Sequence, residues 1–181
     1  MECQNCSNRV SPVRNRFLLY SFLWIGVVAL IIFLAVLNSP RLVAERFYEA
    51  FVEADCEKML KYLPEDVRRV YMGEDDEAQK EWAETASQSQ KDLFERLNVN
   101  NEDWHLEYKV EEIEKMDQAD FDELQEHYQE TYDCRINAAR VITLEEVTHA
   151  NGKESSRECT VYVIRIGLRW YMEWESYKGL R

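Results

Sequence analysis

An α+β fold is predicted, with helices first and an antiparallel sheet last, carried on a single N-terminal transmembrane helix. Three observations predict it. Residues Phe17 to Leu37 form an apolar run without a single charge, and ~20 residues at ~1.5 Å rise cross a ~30 Å hydrocarbon core. From Pro40 to Leu97 the apolar residues recur at helical spacing. From Trp104 they alternate with period two, interrupted by one further helical stretch.

The anchor comes first. Arg9, Arg14 and Arg16 precede the run, and Arg41 and Arg46 follow it among several acids. Positive charge beside a span prefers the cytoplasm, so the expected order is a cytoplasmic tail at 1–16, a span at 17–37 and an extracytoplasmic domain at 39–181. A cleaved signal peptide has an apolar core of roughly 7–15 residues and a small-x-small site. Here the run is longer, Ala35-Val36-Leu37 is a poor site and Pro40 follows closely. An uncleaved signal anchor in the cell membrane is therefore expected. No Cys follows the run at a lipidation position. Tyr20 and Trp24 fall where amphipathic rings sit near the inner interface. Gly26 has no GxxxG partner, so pairing through the span has no support.

Ser39 is a suitable N-cap and Pro40 suits the first helical position. Val43, Phe47, Ala50, Phe51 and Ala54 then share one face of a helix that runs to about Asp55. A short helix near Cys56–Leu63 stops before Pro64, and another opens at Pro64-Glu65-Asp66 and carries Val67, Val70 and Tyr71. The acidic cluster Gly73-Glu74-Asp75-Asp76-Glu77 lacks the DxDxDG order of a calcium loop and reads as a helix start, since acids favour the N-terminal dipole. That helix reaches about Leu97, with Trp82, Ala86, Leu93 and Leu97 on or near one face.

Trp104, Leu106, Tyr108 and Val110 alternate with polar residues as in a half-buried strand. Asp117 opens a helix whose buried stripe is Phe121, Leu124, Tyr128 and Tyr132. Ile136, Ala138, Ile142 and Leu144 form the next strand, Asn151-Gly152 is a strong hairpin signal, and Cys159 to Ile166 returns. A second turn falls at Gly167-Leu168 before a strand from Arg169 to about Ser176. A two-residue turn there puts Tyr162, Ile164 and Ile166 opposite to Trp170, Met172 and Trp174. A three-residue loop or bulge puts both sets on one apolar face, and is preferred for that reason.

The chain carries a net charge of −13 over 181 residues. Residues 1–40 contribute three arginines and one acid, leaving −15 on the remaining 141, ample for one domain with a core. Such a balance argues against nucleic acid and anionic lipid surfaces as partners, since both call for Lys and Arg. Cys3 and Cys6 form a CxxC in the tail, half of a tetrahedral zinc set. Either they are reduced thiols or two chains share a zinc in a homodimer. No other cofactor is expected. Cys56, Cys134 and Cys159 fit one disulfide with a spare or three free thiols.

Two stretches resemble the nuclear-transport-factor-2-like superfamily. One is Ala44-Glu45-Arg46-Phe47-Tyr48-Glu49-Ala50-Phe51 with Ala54-Asp55 and Met59-Leu60-Lys61-Tyr62-Leu63-Pro64; the other runs from Val161 to Met172 around Gly167-Leu168-Arg169-Trp170-Tyr171. The likeness covers nearly all of residues 40–178 and is greatest to membrane-anchored members from Gram-positive bacteria. It implies a cone in which a curved antiparallel sheet wraps around helices, often with an open wide end. The superfamily holds isomerase- and cyclase-type enzymes and many non-enzymes. The isomerases' Asp base, Tyr and protonated Asp match no positions here.

His105, His127 and His149 share no spacing, and Glu123 and His127 read as an exposed helical pair. No Ser/His/Asp order, HExxH or Gly-rich phosphate loop is present. The aromatic residues Phe47, Phe51, Trp82, Trp104, Tyr108, Tyr162, Trp170 and Trp174 are the candidate ligand-binding set: core residues by default, pocket walls where the cone stays open. The function expected is non-enzymatic binding of an envelope protein, peptide or small ligand. The alternative is a small-molecule isomerase or cyclase using the cone pocket.

Overall fold

The computed structural model describes residues 24–28 and 39–178. The chain divides into two compact units, Met1–Leu37 and Asn38–Arg181. In the first, Trp24 to Val28 is helical. The rest of the predicted span, and the tail with Cys3 and Cys6, lie outside the described residues. Among the described residues no helix is long and apolar enough to cross a membrane.

The second unit is α+β with a curled four-stranded antiparallel sheet. Its order is α1 (Pro40–Val52), α2 (Cys56–Leu60), α3 (Glu65–Met72), α4 (Asp76–Asn100), β1 (His105–Lys115), α5 (Gln118–Tyr132), β2 (Ala138–Ala150), β3 (Lys153–Ile166), β4 (Arg169–Met172) and α6 (Trp174–Lys178). Caps set the helix starts. Ser39, Asp55, Asp75 and Asp117 each accept a backbone N–H three residues on, relieving an orphan donor of the first turn.

The sheet is a meander in the order β1-β2-β3-β4. The Asn151-Gly152 turn has both residues in the left-handed region, at φ 55° and 68°, which matches the twist of the flanking strands. A register shift between Val110 and Glu112 bulges β1, and Arg41 donates to the Val110 carbonyl there. The exposed edge of β1 carries Glu107, Lys109, Glu111 and Glu112, charges that discourage edge-to-edge pairing. On the other edge the Met172 N–H donates to the Tyr62 carbonyl.

One part of the core lies between α1 and one face of this sheet. Val43, Ala44, Phe47, Tyr48 and Ala50 of α1 are buried. They oppose the face of Ile142, Leu144, Cys159, Val161, Val163 and Met172, all in one buried cluster.

The second hairpin corrects one expectation. Ile166 pairs with Arg169, so Gly167-Leu168 is a two-residue turn with no bulge. Trp170 and Met172 therefore share the α1 face with Val163 and Arg165, while Tyr162 and Ile164 point the other way. A single apolar face was unnecessary because both faces are covered: Ile164 is fully buried on the second face. The last strand also ends sooner than expected. Past Met172 the chain turns into α6, so Trp174 belongs to a helix. Cys56, Cys134 and Cys159 are all buried, and no disulfide joins any two of them.

Candidate functional site

A cleft of about 420 Å³ opens between the α1–α2 elbow and α4, closed at one end by α6. Its origin is local. Polar side chains of α4 hold the elbow: Ser87 Oγ accepts the Cys56 N–H at 2.9 Å, and Gln90 donates to the Phe51 carbonyl while accepting from Cys56 Sγ at 3.7 Å. These bonds fix α4 beside α1 and α2 without close apolar interdigitation. Trp82, Ala86 and Leu93, one or two turns apart on α4, then face Phe51 and Met59 across a gap.

The walls are aromatic and uncharged. Trp82 and Trp174 meet edge to face at 6.2 Å, as do Phe51 and Phe94. Ser89, Gln90 and Cys56 supply the polar atoms, and no carboxylate, imidazole or cation lines the cleft among the described residues. Leu93 is 46% exposed although it lies on the apolar side of α4. A neighbouring groove of about 520 Å³ is different: Glu53, Glu57, Lys80, Glu84 and Lys91 give it charges of both signs. A shallow mixed-charge groove is ordinary solvated surface, whereas a concave apolar cleft with few polar groups is the usual form of a small-molecule site.

The aromatic residues singled out from the sequence separate into three groups. Phe51, Trp82 and Trp174 line the cleft. Phe47, Tyr108 and Trp104 stand behind it: Phe47 is fully buried, Tyr108 touches Phe51 at 6.0 Å, and Trp104 touches Phe94 at 5.2 Å. Tyr162 and Trp170 are elsewhere. Tyr162 lines a separate cleft of about 370 Å³ with Leu124, His127 and Glu175. Trp170 meets the guanidinium groups of Arg140 and Arg165, at 5.5 and 5.6 Å from its ring. The two-residue turn explains this separation, since it sends Tyr162 to the opposite face. Met59, Ala86 and Leu93 join the cleft without having been singled out as ligand residues; their helical faces were legible, but not that α4 stands off from α1.

A polar cluster lies on the other side of Trp174. Glu173 is 2% exposed and accepts from the Tyr128 hydroxyl at 3.2 Å and from the N–H groups of Glu175 and Ser176. Burial and the Glu173 charge push the Tyr128 hydroxyl well above the ordinary phenol range. Tyr132 is raised by burial and by its bond to Tyr71, whose own hydroxyl donates to Glu175. His127 Nε2 lies 3.3 Å from the same Glu175 oxygen. Glu173 is thus a cap for α6, fully engaged by donors, and does not face the apolar cleft.

His105 and His149, remote in sequence, are direct cross-strand partners whose rings stack at 4.0 Å.

No protein-family model matches the chain, and no curated protein or solved structure matches it either. The curled sheet and its helices are compatible with a cone-like fold.

Proposed function

We propose that this is a single-pass membrane protein of the nuclear-transport-factor-2-like type, whose extracytoplasmic domain binds a small apolar ligand in the cleft between α1, α2 and α4. The observation that carries the reading is the cleft itself: about 420 Å³ walled by Phe51, Trp82, Leu93, Phe94 and Trp174 with no charge among its lining residues. Binding there removes apolar surface from water on both sides, at about 25 cal/mol per Å². An ionic ligand would lose its hydration against walls that offer no counter-charge. The uncharged run at 17–37 supports the anchor, and the three arginines before it support a cytoplasmic N-terminus.

The alternative, an isomerase- or cyclase-type enzyme, requires an acid or base within reach of a substrate held in the cleft. The lining holds no carboxylate, imidazole or amine among the described residues, and its polar side chains are Ser89, Gln90 and Cys56. Binding without chemistry is therefore the better-supported reading.

Native mass spectrometry of residues 39–181, a compact unit in its own right, provides the test. A retained apolar small molecule, or stoichiometric uptake of an added one, supports the reading. A bare mass after exposure to a panel of apolar compounds contradicts it.

A further inference from the structure

We propose that the tip of the β1–β2–β3 sheet is a binding site for a first-row divalent transition metal of the zinc or copper type, held by His105, His149 and Glu107. One ligand atom from each of these side chains lies within 4.8 Å of the others. In a tetrahedral zinc site with bonds of ~2.0–2.2 Å the donors stand about 3.3 Å apart. Torsion of exposed side chains closes that difference without moving the backbone, since all three project from paired strands.

The backbone is well fixed at this point. His105 and His149 are directly opposite in the β1–β2 register, and Glu107 lies two residues along β1 on the same face. The hairpin tip is bolted to the residues before β1. The Asn151 N–H donates to the Glu102 carbonyl at 2.7 Å, the Glu102 N–H donates to Asn151 Oδ1 at 2.8 Å, and Asn151 Nδ2 donates to Asn101 Oδ1 at 3.0 Å. Those bonds lock the two histidines in register before any ligand arrives, which lowers the ordering cost of binding.

The proton positions suit a metal. His105 Nδ1 lies 3.1 Å from the Asp103 carbonyl oxygen. A carbonyl only accepts, so Nδ1 is the donor in this contact and Nε2 is the ring nitrogen left for a metal. That nitrogen is 3.8 Å from Glu107 Oε1. A carbonyl behind a ligating imidazole is the usual means of fixing its tautomer and aim. Asp103 holds this carbonyl in place through a left-handed backbone, φ 52°. His149 has Glu154 on its other side, with Nδ1 3.8 Å from Oε2. Two imidazoles and a carboxylate prefer a borderline cation to calcium or magnesium, which favour all-oxygen sets. The net charge of −13 favours association of cations with the chain as a whole.

The test uses the full chain carrying Cys3→Ser and Cys6→Ser, so that the tail thiols do not compete. Zn²⁺ is titrated by calorimetry, and Cu²⁺ binding is followed by electron paramagnetic resonance. One equivalent of Zn²⁺ is expected per chain. The affinity should fall roughly tenfold or more in His105→Ala or His149→Ala, as loss of a direct ligand exceeds the cost of losing an orienting partner. The Cu²⁺ spectrum should show coupling to two nitrogens, reduced to one in either variant. Both histidines are at the surface tip, and circular dichroism checks that the variants fold. Absence of saturable Zn²⁺ binding overturns the proposal, as does binding unchanged in the double His variant or a Cu²⁺ spectrum without nitrogen coupling.

Discussion

Glu173, Tyr128 and the first turn of α6 form one unit. Removing the carboxylate leaves the Tyr128 hydroxyl and two backbone N–H groups without their acceptor. The buried Tyr128 hydroxyl so orphaned costs about 1–3 kcal/mol, and the two part-buried N–H groups add less. Glu173→Ala is therefore expected to destabilise the domain by several kcal/mol in urea unfolding, and Glu173→Gln, which keeps one carbonyl acceptor, by less. Tyr128 also gives a pH dependence with a definite sign. Its folded-state pKa is raised, so the unfolded chain releases the proton first as pH climbs. The associated stability is complete below the unfolded phenol pKa of ~10 and is lost above it. Urea midpoints should decline from about pH 10 upward, and Tyr128→Phe should flatten that part of the decline. Buried Cys134 and Cys159, also raised by burial, begin their own contribution from about pH 8.5. What the sequence conveyed at this scale was identity and not company. Tyr128 was legible as a buried helical residue, but nothing local shows that a carboxylate 45 residues later comes to meet it.

The helix order, the caps at Ser39 and Asp117, and the Asn151-Gly152 turn were all legible because each is a local signal: spacing, a short polar side chain, a residue able to take positive φ. The turn at Gly167-Leu168 was located but its geometry was misjudged, because the expectation assumed that only one sheet face is buried. The acidic cluster before α4 behaves as a helix start. Asp75 caps it, and Gly73 takes φ 128° where Ala78 leaves no room for a side chain. A Cβ at Gly73 would collide with the Ala78 side chain in a backbone region that L-residues rarely adopt. Gly73→Ala is expected to cost about 1–3 kcal/mol, measurable as a lowered urea midpoint with an unchanged slope. The histidine pair belongs to this scale too. Residues 44 apart become neighbours only through strand register, which is a property of the hairpin and its preceding loop. Neither histidine's local sequence carries a trace of it.

For the whole molecule, the division at Leu37/Asn38 separates an apolar, net-basic segment from an acidic domain with its own core. The anchor reading predicts that the full chain stays with membranes through an alkaline carbonate wash. A chain lacking residues 1–38 should be released, and protease added outside intact cells should remove the domain. Recovery of the full chain in the soluble fraction would contradict the anchor. The cleft depends on this scale as well. Its walls come from α1, α2, α4 and α6, and its width is set by how far Ser87 and Gln90 hold α4 from the elbow. Aromatic content pointed to such a site, yet only the packing separates Phe51, Trp82 and Trp174, which line it, from Tyr162 and Trp170, which do not.

That cleft is tested most directly by titrating the domain with a polarity-sensitive apolar fluorophore, comparing the natural chain with Ala86→Trp. Ala86 lies on the cleft wall and is half-buried, so the larger ring fills the space while leaving the core residues in place. Saturable one-to-one binding by the natural chain, lost or weakened roughly tenfold or more in the filled variant with its fold intact, is the predicted result; about 1.4 kcal/mol corresponds to that factor. Equal binding by both proteins, or no saturable binding by the natural chain, would contradict a ligand site between α1, α2 and α4.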